Sequence, residues 1–345
     1  MRQVQAAILA VFVAAAGPAV AATPDCVAAN AYSVARNGAS VLVLVNGTPL
    51  CRDYANGGGP NIAWGLASGT KSFSGIMAAA AAQDGLLSLD EPVAKTITEW
   101  QADPARAGIT LRQLLSLTSG ITGGRVGRPP SYAEAVAIPA EAAPGSRFSY
   151  GPNPFQIFGE VMRRKLVAAG KGSDPLAYLD ARILTPLGIK PQRWGRGPTG
   201  DAMLAAGAAL TADDWARFGE FVRAGGRWGG KQLVDPATFK SLFVGSKANP
   251  AYGVTFWLAG GPDGIDLAGR TRDPGESAAL QKLAPDLVMA AGAGDQRLYV
   301  LPSRGMVVVR QAVQLTRFDR QALRQSGNAP PRWSDAEFLA ALLGK

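Results

Sequence analysis

The apolar positions fall into short runs cut by glycine and turn residues. Ser40-Val-Leu-Val-Leu-Val45 is a continuous apolar run that ends at Asn46-Gly47. That pair tolerates the positive backbone angles of a two-residue hairpin, so a second strand is expected from Leu50 to Tyr54. Gly57-Gly58-Gly59-Pro60 reads as loop. The alanine-rich stretch that follows Ser68 and closes at Gly85 reads as a buried helix. Helical spacing then recurs over Thr110 to Leu117, Pro154 to Lys165, Pro175 to Leu184 and Thr211 to Ala224. Thr211-Ala-Asp-Asp214 is a capping pattern. Strand signals return at Tyr252 to Leu258, Leu287 to Ala290, Arg297 to Leu301 and Met306 to Val313. Ser334-Asp-Ala-Glu337 reads as a capping box opening a last helix to Leu343.

Strands at both ends with helices between them predict an α/β (α+β) fold. One antiparallel sheet is built from both chain ends and flanked by helices, with a central helical lobe. The expected sheet lobe covers about 30–80 and 240–345, the helical lobe about 81–239, and a site belongs in the cleft between them.

The first residues modify this picture. MRQVQAAILAVFVAAAGPAVAA carries one arginine, an apolar run and Ala19-Val20-Ala21, the order of a secretory signal peptide. Residues 1–21 are therefore expected to leave and 22–345 to form an exported, periplasmic or secreted domain. Gly17-Pro18 interrupts the run, and no other window approaches the roughly 18 apolar residues of a spanning helix, so no permanent membrane anchor is expected. The two cysteines, Cys26 and Cys51, read as one disulfide in an oxidising compartment, with two buried thiols as the alternative.

The formal charge of +9 comes from 35 Lys and Arg against 26 Asp and Glu. These cations are scattered without interleaved aromatics, which argues against a nucleic-acid partner and leaves weak attraction to an anionic envelope. The chain contains no histidine. That removes Ser-His-Asp chemistry and nearly all zinc sites, so no metal or cofactor is expected and a nucleophilic serine would need lysine, tyrosine or a carboxylate to activate it.

Gly65-Leu-Ala-Ser68-Gly-Thr-Lys71-Ser72 admits two chemical readings. As a phosphate-binding loop it lacks a preceding strand, and Thr70 replaces the glycine that lets backbone approach phosphate. As S-x-x-K it places Lys71 on the same helical face as Ser68, one turn later, at a helix start that favours a developing alkoxide. Taken alone, Ser68 could equally be a helix cap and Lys71 a solvated first-turn residue.

The flanking sequence decides between these. ASGTKSFSGIMAAAAAQDGLLSLDEPV resembles the serine-lysine segment of the class C β-lactamase, DD-peptidase and esterase superfamily. In the same order, ITLRQLLSLTSGI is similar to its next helix and turn, with Leu117 where members often carry histidine. PGSRFSYGPNPFQIFGEVM resembles its tyrosine box, and AAGAALTADDWARFGEFVRAGGRWGGKQLV its next long helix and loop. MAAGAGDQRLYVLPSRGMVVVR resembles the strand edge that closes the site.

The resemblance implies a β-lactamase/DD-peptidase-like fold and a small-molecule ester or amide as substrate. It assigns nucleophile, base and proton relay to Ser68, Lys71 and Tyr150, and the oxyanion hole to the backbone N–H groups of Ser68 and Ala293. Asn153 stands one place late for the family's Y-x-N, where Pro152 occupies the asparagine position. Gly292-Ala293-Gly294 replaces K-T-G and supplies no cation for a substrate carboxylate. The second departure resembles the esterase and amide-hydrolase branches, nylon-oligomer hydrolases included. A β-lactamase or DD-peptidase, and a non-catalytic envelope-binding protein on the same fold, are the alternatives. Trp64, Trp194 and Trp257 read either as an acyl-pocket lining or as packing. The segment from Gly260 to Leu283 reads as a long loop, either a cover for the cleft or a surface insertion.

Overall fold

The computed structural model describes residues 23–259, 274–315, 317–327 and 329–345. The leader expected at 1–21 and the 260–273 part of the glycine-rich segment lie outside the described residues.

A six-stranded antiparallel sheet is assembled from both ends of the chain. β1 (Gly38–Val45) and β2 (Thr48–Tyr54) form the expected hairpin across Asn46-Gly47, both with positive φ, and β2 begins two residues before Leu50. β3 (Trp257–Leu258), β4 (Val288–Gly292), β5 (Gln296–Leu301) and β6 (Met306–Ala312) come from the other end. The spatial order is β2-β1-β6-β5-β4-β3. β1 therefore pairs with β6, Val41 opposite Arg310 and Val45 opposite Met306.

Both faces of this sheet are covered, which explains why β1 and β6 read as unbroken apolar runs rather than alternating ones. One face receives α4 (Ala212–Arg223), where Gly219 sits against Val307 and Leu298 with no room for a Cβ. The other face carries α1 (Cys26–Val34) and α6 (Asp335–Leu343), which pack on each other. The Cys26–Cys51 disulfide ties the start of α1 to β2 with Cα atoms 5.7 Å apart. The central helix α2 (Lys71–Gln83) is buried from Lys71 to Ala81, and α3 (Asn153–Ala168) packs its Phe155, Phe158 and Val161 in the helical layer.

Several expectations are revised. The run Tyr252 to Leu258 does not form a seven-residue strand: Thr255 takes φ +70° and folds the segment back, so only Trp257–Leu258 joins the sheet and Tyr252 bridges to Trp257. Of the presumed loop 260–283, Pro274–Leu283 is helix (α5), consistent with proline in its first turn and the helix-forming run that follows. The Ser334 cap forms, but the box is not closed, because the Glu337 carboxylate accepts from the Tyr32 hydroxyl at 2.7 Å. The stretch Pro175 to Leu184 is α-helical to Leu179 and widens into a π-type turn beyond it.

Candidate active site

Ser68 lies in the tight turn Ala67–Thr70 that leads into α2. Gly65 pairs with Ala209 and the Leu66 amide donates to Ala208 O, so the chain must leave this short ladder abruptly. Ala67 makes the bend with φ +46°, a strained value for a residue with a Cβ. Ser68 is not the capping residue, since Leu66 and Thr70 occupy the cap positions of the turn and of α2.

Lys71 projects from the same face, 4% exposed. Its Nζ donates to Ser68 Oγ at 3.1 Å and to Ala205 O at 3.0 Å. Among the described residues no carboxylate forms an ion pair with it. Burial without a counter-charge pushes the amine down to about 7. The rings of Tyr150 and Phe155 flank the nitrogen, with centroids 4.9 and 5.2 Å away.

Tyr150 completes the cluster. The Ser149 amide donates to Leu117 O, the Gly123 amide to Ser149 Oγ, and the Asn153 amide to Gly123 O, so the backbone around the tyrosine is clamped to the 122–124 loop. Its hydroxyl oxygen is shielded from solvent and completes no hydrogen bond with a described residue. Burial raises the phenol to about 12, offset in part by the nearby Ser68 side chain and the Arg297 charge. The Ser68 side chain is thus a neighbour of this hydroxyl without meeting the geometry of a full hydrogen bond.

The strand edge after β4 closes the other side. Gly292 packs against Leu66 O and the Gly69 amide so tightly that a Cβ would collide. Among the described residues neither the Ser68 nor the Ala293 amide has an acceptor. Gly294 and Asp295 continue the turn with φ of +73° and +58°.

The remaining sequence candidates divide. Trp257 stands beside Tyr150, ring centroids 5.7 Å apart, in an aromatic wall with Phe148 and Tyr252. Trp194 packs edge-on against Phe73 and donates to Met203 O, which is a structural contact. Asn153 donates from its side chain to Thr122 O and lies against Gly124, in the clamp behind Tyr150. Sequence reasoning missed Tyr252, whose buried hydroxyl has no hydrogen-bond partner among the described residues, and the Ala205 carbonyl that holds Lys71. The carbonyl carries no sequence signal, since any residue supplies one.

The family model described as Beta-lactamase matches residues 23–326. No curated protein matches the chain. Among solved structures, a candidate β-lactamase from Bacteroides dorei DSM 17855 is 21% identical, covering 94% of this chain and 100% of that one, with a TM-score of 0.70. EstCE1, a hydrolase with promiscuous acyltransferase activity, is 16% identical over 92% and 98% of the two chains, TM-score 0.65. A penicillin-binding protein homologue from Caulobacter crescentus is 17% identical over 93% and 96%, TM-score 0.64. At these identities the likeness is one of fold.

Proposed function

This chain belongs to the beta-lactamase family, whose members are serine hydrolases, and on that footing we propose that it cleaves a neutral ester or amide through an acyl-enzyme on Ser68. The observation that carries the reading is the buried Lys71 amine 3.1 Å from the Ser68 hydroxyl, which burial lowers to about 7. Roughly half of such an amine is unprotonated at that pH, against about one in 10⁵ for a phenol at pKa 12. Lys71 is therefore the base, and Tyr150 is a protonated relay rather than a phenolate.

Lys71 takes the Ser68 proton as Oγ attacks the carbonyl carbon. The oxyanion forms against the Ser68 and Ala293 amides, each such donor typically contributing about 3 kcal/mol in the transition state. The proton passes through the Tyr150 hydroxyl to the departing oxygen or nitrogen, and the bond to the leaving group breaks. Water, deprotonated by the same pair, then releases the acid and restores Ser68.

The substrate side of the reading rests on the strand edge. Gly292-Ala293-Gly294 offers no cation, and Arg297 does not replace one, because it is buried and paired with Asp335. The Phe148, Tyr252 and Trp257 wall favours an uncharged, apolar group beside Tyr150. Export of the mature chain is part of the proposal, and the Cys26–Cys51 bond is compatible with it.

Intact-mass analysis after a fluorophosphonate probe tests the mechanism: one adduct is expected, absent in Ser68→Ala. No adduct, or one that persists in that variant, removes the serine mechanism and leaves a non-catalytic binding protein. Turnover of p-nitrophenyl acetate should exceed that of nitrocefin on the same preparation; the reverse order identifies a β-lactamase.

A further inference from the structure

The turn that offers the Ala293 amide is gripped from behind by buried donors. Arg297, 4% exposed on β5, donates from Nη1 to Gly292 O at 3.1 Å while its Nε donates to Asp335 Oδ1 at 2.7 Å. Arg310, fully buried on β6, donates from Nη1 to Asp295 O at 2.8 Å. Its other nitrogens bond Ser33 Oγ and Arg36 O, and Trp333 stacks on it. Gln296 Nε2 approaches Gly294 O at 3.4 Å and is anchored on Ala312. Three of the four carbonyls from Gly292 to Asp295 are thus taken by side chains of β5 and β6.

We infer that Arg297 and Arg310 are positioning residues that aim the Gly292–Ala293 peptide, and so build the oxyanion hole of the proposed reaction. The inference rests on that reading of Ser68. In a trans peptide the C=O and N–H point opposite ways. Fixing Gly292 O on Arg297 therefore turns the Ala293 N–H the other way, toward the Ser68 turn against which Gly292 packs. A guanidinium on the carbonyl also polarises the peptide and strengthens its N–H as a donor. The arrangement is not explained by ion pairing alone. Among the described residues no carboxylate pairs with Arg310, and a long cation is buried there to satisfy backbone carbonyls. The Arg297 charge is felt at the Tyr150 phenol, which places the cradle within electrostatic reach of the chemistry.

The test compares wild type with Arg297→Lys, which keeps a cation for Asp335 but loses the fork that also reaches Gly292 O. Arg297→Gln combined with Asp335→Asn serves as a second variant if the first does not fold. Leu342→Ala in the α6 core is the control for lost stability away from the turn. Sites are titrated with a fluorophosphonate, so that kcat for p-nitrophenyl acetate is expressed per competent site, and phenylboronic acid reports affinity for a tetrahedral adduct. The expected result is a fall in kcat of about 10- to 100-fold with KM within about threefold, and a parallel loss of boronic acid affinity. Leu342→Ala should lose melting temperature but keep its kcat per site. Wild-type kcat and boronic acid affinity in a titratable Arg297 variant overturn this inference alone. A wild type that neither labels nor turns over removes the Ser68 reading and this inference with it.

Discussion

Gly151 and Gly123 meet backbone to backbone, each glycine lying against the other's chain where a Cβ on either would collide. The contact sits directly beside Tyr150 and fixes the peptide from which its phenol projects. Gly151→Ala is expected to destabilise the fold by about 1–3 kcal/mol, as overpacking does, and to lower kcat by moving the phenol. Thermal melts and p-nitrophenyl acetate turnover check the two effects; an alanine accepted with full activity would show that the clamp is loose.

The pH dependence follows from Lys71. Its neutral form does the work, and burial lowers it to about 7, so kcat/KM should rise about tenfold per pH unit below that value and level off above it. Lys71→Met should abolish the profile along with most of the activity. A profile with its limb near 10 would mean that the lysine is solvated.

The same group makes a stability prediction with a defined sign. Between about 7 and the ordinary lysine value of 10.5 the unfolded chain binds the Lys71 proton and the folded chain does not. Stability from this residue therefore increases with pH across that window. The melting-temperature difference between wild type and Lys71→Met should shift in favour of wild type from pH 7 to pH 10.

Tyr150→Phe separates activity from stability. The hydroxyl is buried without a completed hydrogen bond, so its removal should leave stability unchanged or raise it by up to about 1 kcal/mol. Activity should fall by at least about 100-fold if the phenol relays the proton. A variant that melts lower and still turns over would reverse both assignments.

Cleaving the Cys26–Cys51 bond should cost about 3 kcal/mol through the restored freedom of a 25-residue loop. Cys26→Ser combined with Cys51→Ser should melt lower but keep its kcat at 25 °C, because neither cysteine lies in the Ser68 cluster. A lost kcat would mean that α1 transmits its position to the turn through Ser33 and Arg310.

The elements that were legible in sequence are those whose signal is local. The Val41 to Val45 run with its Asn-Gly turn, the alanine-rich helix after Ser68 and the Thr211 cap each carry their own instruction. The run Tyr252 to Leu258 misleads because its apolar residues serve an aromatic wall around a left-handed Thr255 rather than a sheet face. Pro274–Leu283 was hidden by the glycine-rich stretch before it, although its own composition favours helix. Arg297 and Arg310 read only as two of the scattered cations, inside expected strands. Their partners include carbonyls of one turn, Asp335 at 38 positions beyond Arg297, and Ser33 and Arg36 from the start of the chain, and only the folded sheet brings these together.

The pairing of β1 with β6 also sets a timetable for synthesis. Ser40 faces Gln311 across 271 positions of chain. During translation the first hairpin therefore waits with its Val41-to-Val45 edge uncovered until β6 has been made. Such an edge is sticky, and long-range pairing of this kind is slow. Holding factors that shield the nascent edge should raise the yield of active protein, and premature stop codons anywhere before β6 should give insoluble fragments rather than partial enzymes.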